Sequence, residues 1–159
     1  MKTVLQRVSK ARVTVDGRET ACIDLGLLVL VGAGEGDGEE DADWMADKIV
    51  GLRIFPDDQG RMNRSLQDVG GSMIAVSQFT LYGDCRKGRR PSFVKALEPK
   101  KAEMLVERFV ARVQATGISC GTGLFGAHMQ VELCNDGPVT LLIDSAVSRR
   151  KSKEVFAEP

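Results

Sequence analysis

The sequence predicts an α+β domain over residues 1–159, with a mixed, largely antiparallel sheet or barrel and two main helices packed outside. Three observations carry this. Short apolar runs of strand character outnumber the helical stretches, Asp16-Gly17 joins two of those runs by a hairpin turn, and only two segments show helical periodicity. A chain of 159 residues fits a single domain, and no repeat, linker or low-complexity segment divides it.

Taken in order, residues 2 to 15 alternate loosely, with Ala11, Val13 and Val15 at period two. After the turn, ACIDLGLLVLVGA continues the sheet, giving two or three antiparallel strands. Acidic residues from Glu35 to Asp43 precede Met45, Ile49 and Leu52 at i, i+4 and i+7. This is an amphipathic helix with negative charge at the positive end of its dipole, expected to end near Phe55-Pro56. PDDQGRMNRSLQDVGG is turn-rich, and SMIAVSQFTLYG reads as one buried strand. From Lys100, Ala102, Leu105, Val106, Phe109, Val110 and Val113 follow helical spacing up to Gly117. A short strand near ISC, a glycine-broken loop GTGLFGAH and a pair of strands, MQVELC and LLID, complete the order.

Twenty-two basic residues balance twenty-two acidic ones, so affinity for nucleic acid has to come from local clusters. Arg86, Lys87, Arg89 and Arg90 form one such cluster, and Arg149, Arg150, Lys151 and Lys153 in the tail form another. Such runs are usually just solvated surface, but they are also what a phosphate-binding face would look like. No apolar run approaches the roughly 20 residues that span a bilayer, and the first residues lack a signal-peptide core, which predicts a cytoplasmic protein. Cys22, Cys85, Cys120 and Cys134 are widely spaced, which predicts reduced, mostly buried thiols and neither a zinc site nor a redox pair. His128 is the single histidine, too isolated in sequence to signal a metal site or a triad, and no cofactor is expected.

Three stretches are candidates for chemistry. Ser77, Gln78, Phe79 and Thr80 offer hydroxyls and an amide at the end of a buried strand, but a Thr80 nucleophile needs an activating base, and Thr80 also suits a plain strand position. GTGLFGA lacks the Lys-Ser/Thr of a phosphate loop and reads by default as a flexible loop. NDGPVT, residues 135 to 140, places Gly137 and Pro138 between two strands. Locally that is tight-hairpin chemistry, while a cis Gly-Pro pair there would present two rigid parallel carbonyls.

SQFTLYGD (77 to 84) and NDGPVT, together with QRV (6 to 8), KGRRPSF (87 to 93) and FGAHMQV (125 to 131), closely resemble the D-aminoacyl-tRNA deacylase family over nearly the whole chain. Gly83 stands where many members carry Ala, and His128 where others carry an acidic or different residue. The resemblance implies a homodimeric hydrolase that cleaves the ester of D-aminoacyl-tRNA, and of glycyl-tRNA mischarged on the alanine tRNA, while sparing L-aminoacyl esters. It needs no cofactor, and its partner is tRNA, not DNA or membrane. Gly137 and Pro138, braced by Arg7, would enter the other subunit's pocket as the chiral filter. Backbone N–H groups of Phe79 and Thr80 would hold the ester carbonyl oxygen, beside Ser77 and Gln78. Phe125, Gly126, Ala127 and Met129 would take the terminal adenosine, whose ribose 2′-hydroxyl would assist the attacking water. Lys87, Arg89 and Arg90 would meet acceptor-stem phosphates. Two other readings fit the same residues: a non-catalytic RNA-binding module, and an esterase or amidase built on Thr80.

Overall fold

The computed structural model describes residues 1–147; the tail RRKSKEVFAEP and its basic cluster lie outside them. Strand β1 (Lys2–Val15) is the axis of the sheet. One of its edges carries β3 (Gly26–Gly32) along residues 2 to 8 and β2 (Arg18–Ile23) along residues 11 to 15. The other edge carries β8 (Met129–Asp144), and all three pairings are antiparallel. Beyond β3 the sheet continues in parallel through β6 (Ser72–Ser77) and β7 (Cys120–Thr122). The predicted mixed, largely antiparallel sheet is therefore present. At the β1–β2 turn both Asp16 (φ 49°) and Gly17 (φ 76°) are left-handed, the conformation that lets a two-residue hairpin follow the strand twist.

Helices α1 (Glu39–Val50) and α2 (Pro99–Ala115) lie together against one face. Their Met45, Ile49, Phe109 and Val113 meet Leu27, Val29, Val31 and Met73 of the sheet. The opposite face closes over a second cluster of Val8, Val13, Ile23, Leu28, Ile74 and Val76. With both faces of β3 and β6 buried, their central runs LLVLV and MIAV are continuously apolar instead of alternating. Two short strands, β4 (Phe55–Pro56) and β5 (Met62–Arg64), form a separate ribbon. Among the described residues no helix is long and apolar enough to cross a membrane.

Four expectations are corrected. Helix α1 ends at Val50, capped by Gly51, whose N–H donates to the Asp47 carbonyl. Phe55-Pro56 lies beyond it, in β4. The strand over SMIAVSQFTLYG stops at Ser77, and Phe79–Tyr82 turns as a 3₁₀ helix. Cys22, Cys85 and Cys134 are exposed, and only Cys120 is buried, its thiol pushed up to about 12 by that burial. Finally, NDGPVT is not a hairpin between two strands. Residues on both sides of it pair with β1 in the same direction, Lys10 with Cys134 and Val8 with Asn135 before it, Gln6 with Thr140 and Lys2 with Asp144 after it. Residues 136 to 139 bulge from one continuous strand, opposite Arg7 alone.

Candidate active site and nucleotide pocket

Where β6 ends, Gln78 donates its N–H to the Val31 carbonyl at 2.8 Å and leaves the sheet with φ −145° and ψ 80°. The 3₁₀ turn follows, closed by Leu81 N–H on Gln78 O at 3.3 Å and Gly83 N–H on Thr80 O at 2.9 Å. Phe79 and Thr80 open this turn, where amide N–H groups have no acceptor within the helix. The far end of the turn is anchored by Tyr82, whose hydroxyl donates to Asp37 Oδ2 at 2.9 Å. The same carboxylate accepts the Gly34 N–H at 2.7 Å and pairs with the Met1 amino group at 2.6 Å. Burial, and next the Asp37 charge, raise the Tyr82 hydroxyl well above its ordinary value, so it stays a donor. A Cβ on Gly34 would stand 2.1 Å from the Tyr82 ring, so this approach requires glycine.

Ser77, Gln78 and Phe79 form one wall of a cavity of about 640 Å³. Phe125, Gly126, Ala127, His128 and Met129 form another. Val31 of β3, Ala33 just beyond it, Phe93, and the start of α2 through Ala102 and Val106 also line it. Gly126 has φ +72°, and Ala127 N–H donates to Leu124 O at 3.2 Å, turning the loop towards β8. Helix α2 starts at the cavity because Glu98 caps it, accepting the Lys100 and Lys101 N–H groups at 3.1 and 3.2 Å, with Pro99 at the first helical position.

Thr80 is exposed and is not part of that lining; its hydroxyl accepts a hydrogen bond from the Gln78 side-chain amide. An amide donor takes no proton from a hydroxyl, so this contact does not activate Thr80. Among the described residues no group of three His, Cys, Asp or Glu side chains is arranged to hold a metal ion.

The Gly137-Pro138 bulge lies outside the lining of its own chain's cavity. Its peptide bond is cis, and Gly137 has φ +125°. Arg7, with only 10% of its side chain exposed, braces the bulge. Its Nε donates to the Asp136 carbonyl at 3.1 Å and lies 3.2 Å from Asp136 Oδ2, while its Nη1 donates to the Ile54 carbonyl at 2.6 Å. Across the neck, Asn135 Nδ2 donates to Val139 O at 3.1 Å.

The basic residues stand apart from the cavity on a loop closed by the Asp84–Ser92 bridge. Arg86 folds back on Asp84, whose carboxyl it holds far below its usual value. Lys87, Arg89 and Arg90 are exposed, and none of them is ion-paired among the described residues. The fold thus gathers the 77–79 and 125–129 stretches, and leaves the bulge and the basic loop elsewhere on the surface. Sequence reasoning missed Phe93, Leu97 and Val106 as cavity residues. Phe93 carried the one available signal, an aromatic three residues after the last arginine of a basic turn.

The family model described as D-Tyr-tRNA(Tyr) deacylase matches residues 4–144. The chain belongs to this family. Members similar to it include a D-aminoacyl-tRNA deacylase of Heliobacterium modesticaldum, 59% identical over 144 residues, which are 91% of this chain and 96% of the relative. Another, from Koribacter versatilis, is 59% identical over 145 residues, 91% and 97% of the two chains. Among solved structures, a c-Myc DNA Unwinding Element Binding Protein superposes with a TM-score of 0.84 at 37% identity, covering 91% of this chain and 98% of the other. A probable eukaryotic D-amino acid tRNA deacylase, 17% identical with a TM-score of 0.76 and covering 90% and 98%, shares the fold. The residues matched by the D-Tyr-tRNA(Tyr) deacylase family include the cavity, the bulge and the basic loop.

Proposed function

We infer that this chain is a D-aminoacyl-tRNA deacylase: water adds to the ester carbonyl, the bond to the ribose oxygen breaks, and free D-amino acid and tRNA leave. The observation that carries this reading is the cavity joining residues 77–79 to 125–129, the two stretches that the family likeness pairs as reaction floor and adenosine pocket. An aromatic ring and a thioether, Phe125 and Met129, suit the face of a base. Amides of Phe79 and Thr80 would stabilise the oxyanion, a contribution of about 3 to 4 kcal/mol per donor. The terminal ribose 2′-hydroxyl would assist the water.

Selection would come from Gly137 and Pro138 of a second copy. Their carbonyls leave no room for an L side chain, whereas a D residue or glycine presents only hydrogen there, so glycyl-tRNA also reacts. Two features support insertion into a partner: the bulge stands clear of its own cavity, and β8 pairs only with β1 among the described residues, with Leu142 71% exposed beside the bulge. The protein would act as a cytoplasmic homodimer.

Incubating the purified protein with matched D- and L-aminoacyl-tRNA tests this. Release of the D-amino acid and glycine alone supports it, release of neither leaves only an RNA-binding module, and equal release of both hands removes the filter. Thr80→Ala is expected to keep much of the activity, since its hydroxyl has no base; loss to background in the same assay would restore the Thr80 esterase. Raising salt from about 50 to 200 mM is expected to weaken tRNA binding by roughly tenfold or more if Lys87, Arg89 and Arg90 each neutralise a phosphate. The D/L ratio should hold across that range, and a ratio that collapsed with salt would contradict a filter made of backbone.

A further inference from the structure

Between the cavity and the basic loop stands an exposed aromatic pair. Phe93 and Phe79 meet edge to face, with ring centroids 5.1 Å apart and planes at 68°. Both line the cavity, yet Phe79 remains 57% exposed and Phe93 37%. Large apolar rings exposed at a cavity mouth in the single chain, when the fold has two closed cores, mark a surface that a partner or a ligand covers. Gly83 allows this close approach, since a Cβ there would stand 3.0 Å from Phe93 Cε1 and the ring would have to shift by a few tenths of an ångström.

Chain order ties the pair to the basic loop. Phe79 opens the 3₁₀ turn that runs to Tyr82, Asp84 and Ser92 close the loop behind it, and Phe93 follows the closure directly. The rings therefore flank the loop in the chain and line the cavity, while Lys87, Arg89 and Arg90 lie on the loop, outside that lining. A single strand whose last base occupied the cavity, and whose phosphates ran towards these cations, would pass the two rings.

We propose that Phe93, with the open face of Phe79, is a stacking platform for the unpaired nucleobase immediately 5′ of the terminal adenosine. The proposal rests on the deacylase reading, and it adds a second nucleotide subsite to it. Every base offers a π-face, so such a platform tolerates any sequence and still lengthens the contact beyond the adenosine. The partner is a nucleic acid rather than an apolar peptide because the rings line a cavity suited to a base, and the loop that joins them in the chain carries exposed cations with no ion pair among the described residues.

The test compares two substrates in each variant: a D-aminoacyl-adenosine and the same D-amino acid on a CCA trinucleotide. Wild type is expected to favour the trinucleotide in kcat/KM by about tenfold to a hundredfold, the range that base–aromatic stacking supplies. Phe93→Ala and Phe93→Leu should lose that preference, and Phe93→Trp should retain it. Leu fills the space without a π-face, so packing alone does not explain the loss. A trinucleotide carrying 2-aminopurine in the penultimate position gives a second readout, with fluorescence quenched on binding wild type and not Phe93→Ala. Equal losses on both substrates, or no preference in wild type, would overturn the proposal. If wild type cleaves neither substrate while quenching persists, the deacylase reading fails and the platform stands.

Discussion

Gly137→Ala is expected to slow D-aminoacyl-tRNA hydrolysis and to narrow the D/L rate ratio at least tenfold. Gly137 sits at φ +125°, a region closed to L side chains, and forcing alanine into it costs about 1 to 3 kcal/mol of local strain. The new Cβ would stand 2.8 Å from Arg7 Nη2, 2.9 Å from Val139 Cγ2 and 3.1 Å from the Val139 backbone nitrogen. Two of these three neighbours cannot swing aside, since Arg7 is tied to carbonyls and Val139 N belongs to the bulge itself. The strain is relieved by moving the bulge, and the proposed filter, built from main-chain atoms, would lose its shape when they move. Deacylation of paired D and L substrates measures the ratio. A folded Gly137→Ala protein with wild-type selectivity would remove the bulge from the filter.

Arg7→Ala is expected to cost about 2 to 4 kcal/mol in unfolding free energy and to loosen selectivity as well. Its guanidinium satisfies the carbonyls of Ile54 and Asp136 together, and Ile54 is buried, so truncation strands at least one acceptor away from water. The ion pair to Asp136 adds little, because that carboxylate is half exposed. Arg7→Lys should recover only part of either loss, since one ammonium cannot spread its donors as the planar fork does. Urea unfolding and the D/L assay read the two effects separately. Wild-type stability in Arg7→Ala would show that the bulge holds itself.

Much of this was legible along the chain. Helix α2 followed from its spacing because six buried positions, from Ala102 to Val113, fall on one stripe. The β1–β2 hairpin followed from Asp16-Gly17, whose local chemistry already decides the turn. Other elements depended on what they meet. QFTLYG has strand composition, yet it coils into a 3₁₀ turn held by Tyr82 on Asp37, a residue 45 positions earlier. Asn-Asp-Gly-Pro signals a reversal locally, and no local feature reveals that both flanks pair with the same edge of β1.

By itself the sequence determined which stretches are candidates for function: backbone-rich motifs, a basic turn and an aromatic-thioether loop, because their residue types limit the chemistry open to them. Only the tertiary structure decided their grouping. It put 77–79 beside 125–129 in one cavity, set Phe93 at the mouth, and left Gly137 and Pro138 on a bulge outside. The physical reason is pairing register. Whether residues 136 to 139 reverse the chain or bulge from it is fixed by hydrogen bonds to a strand more than a hundred residues away, and local propensity has no access to that partner.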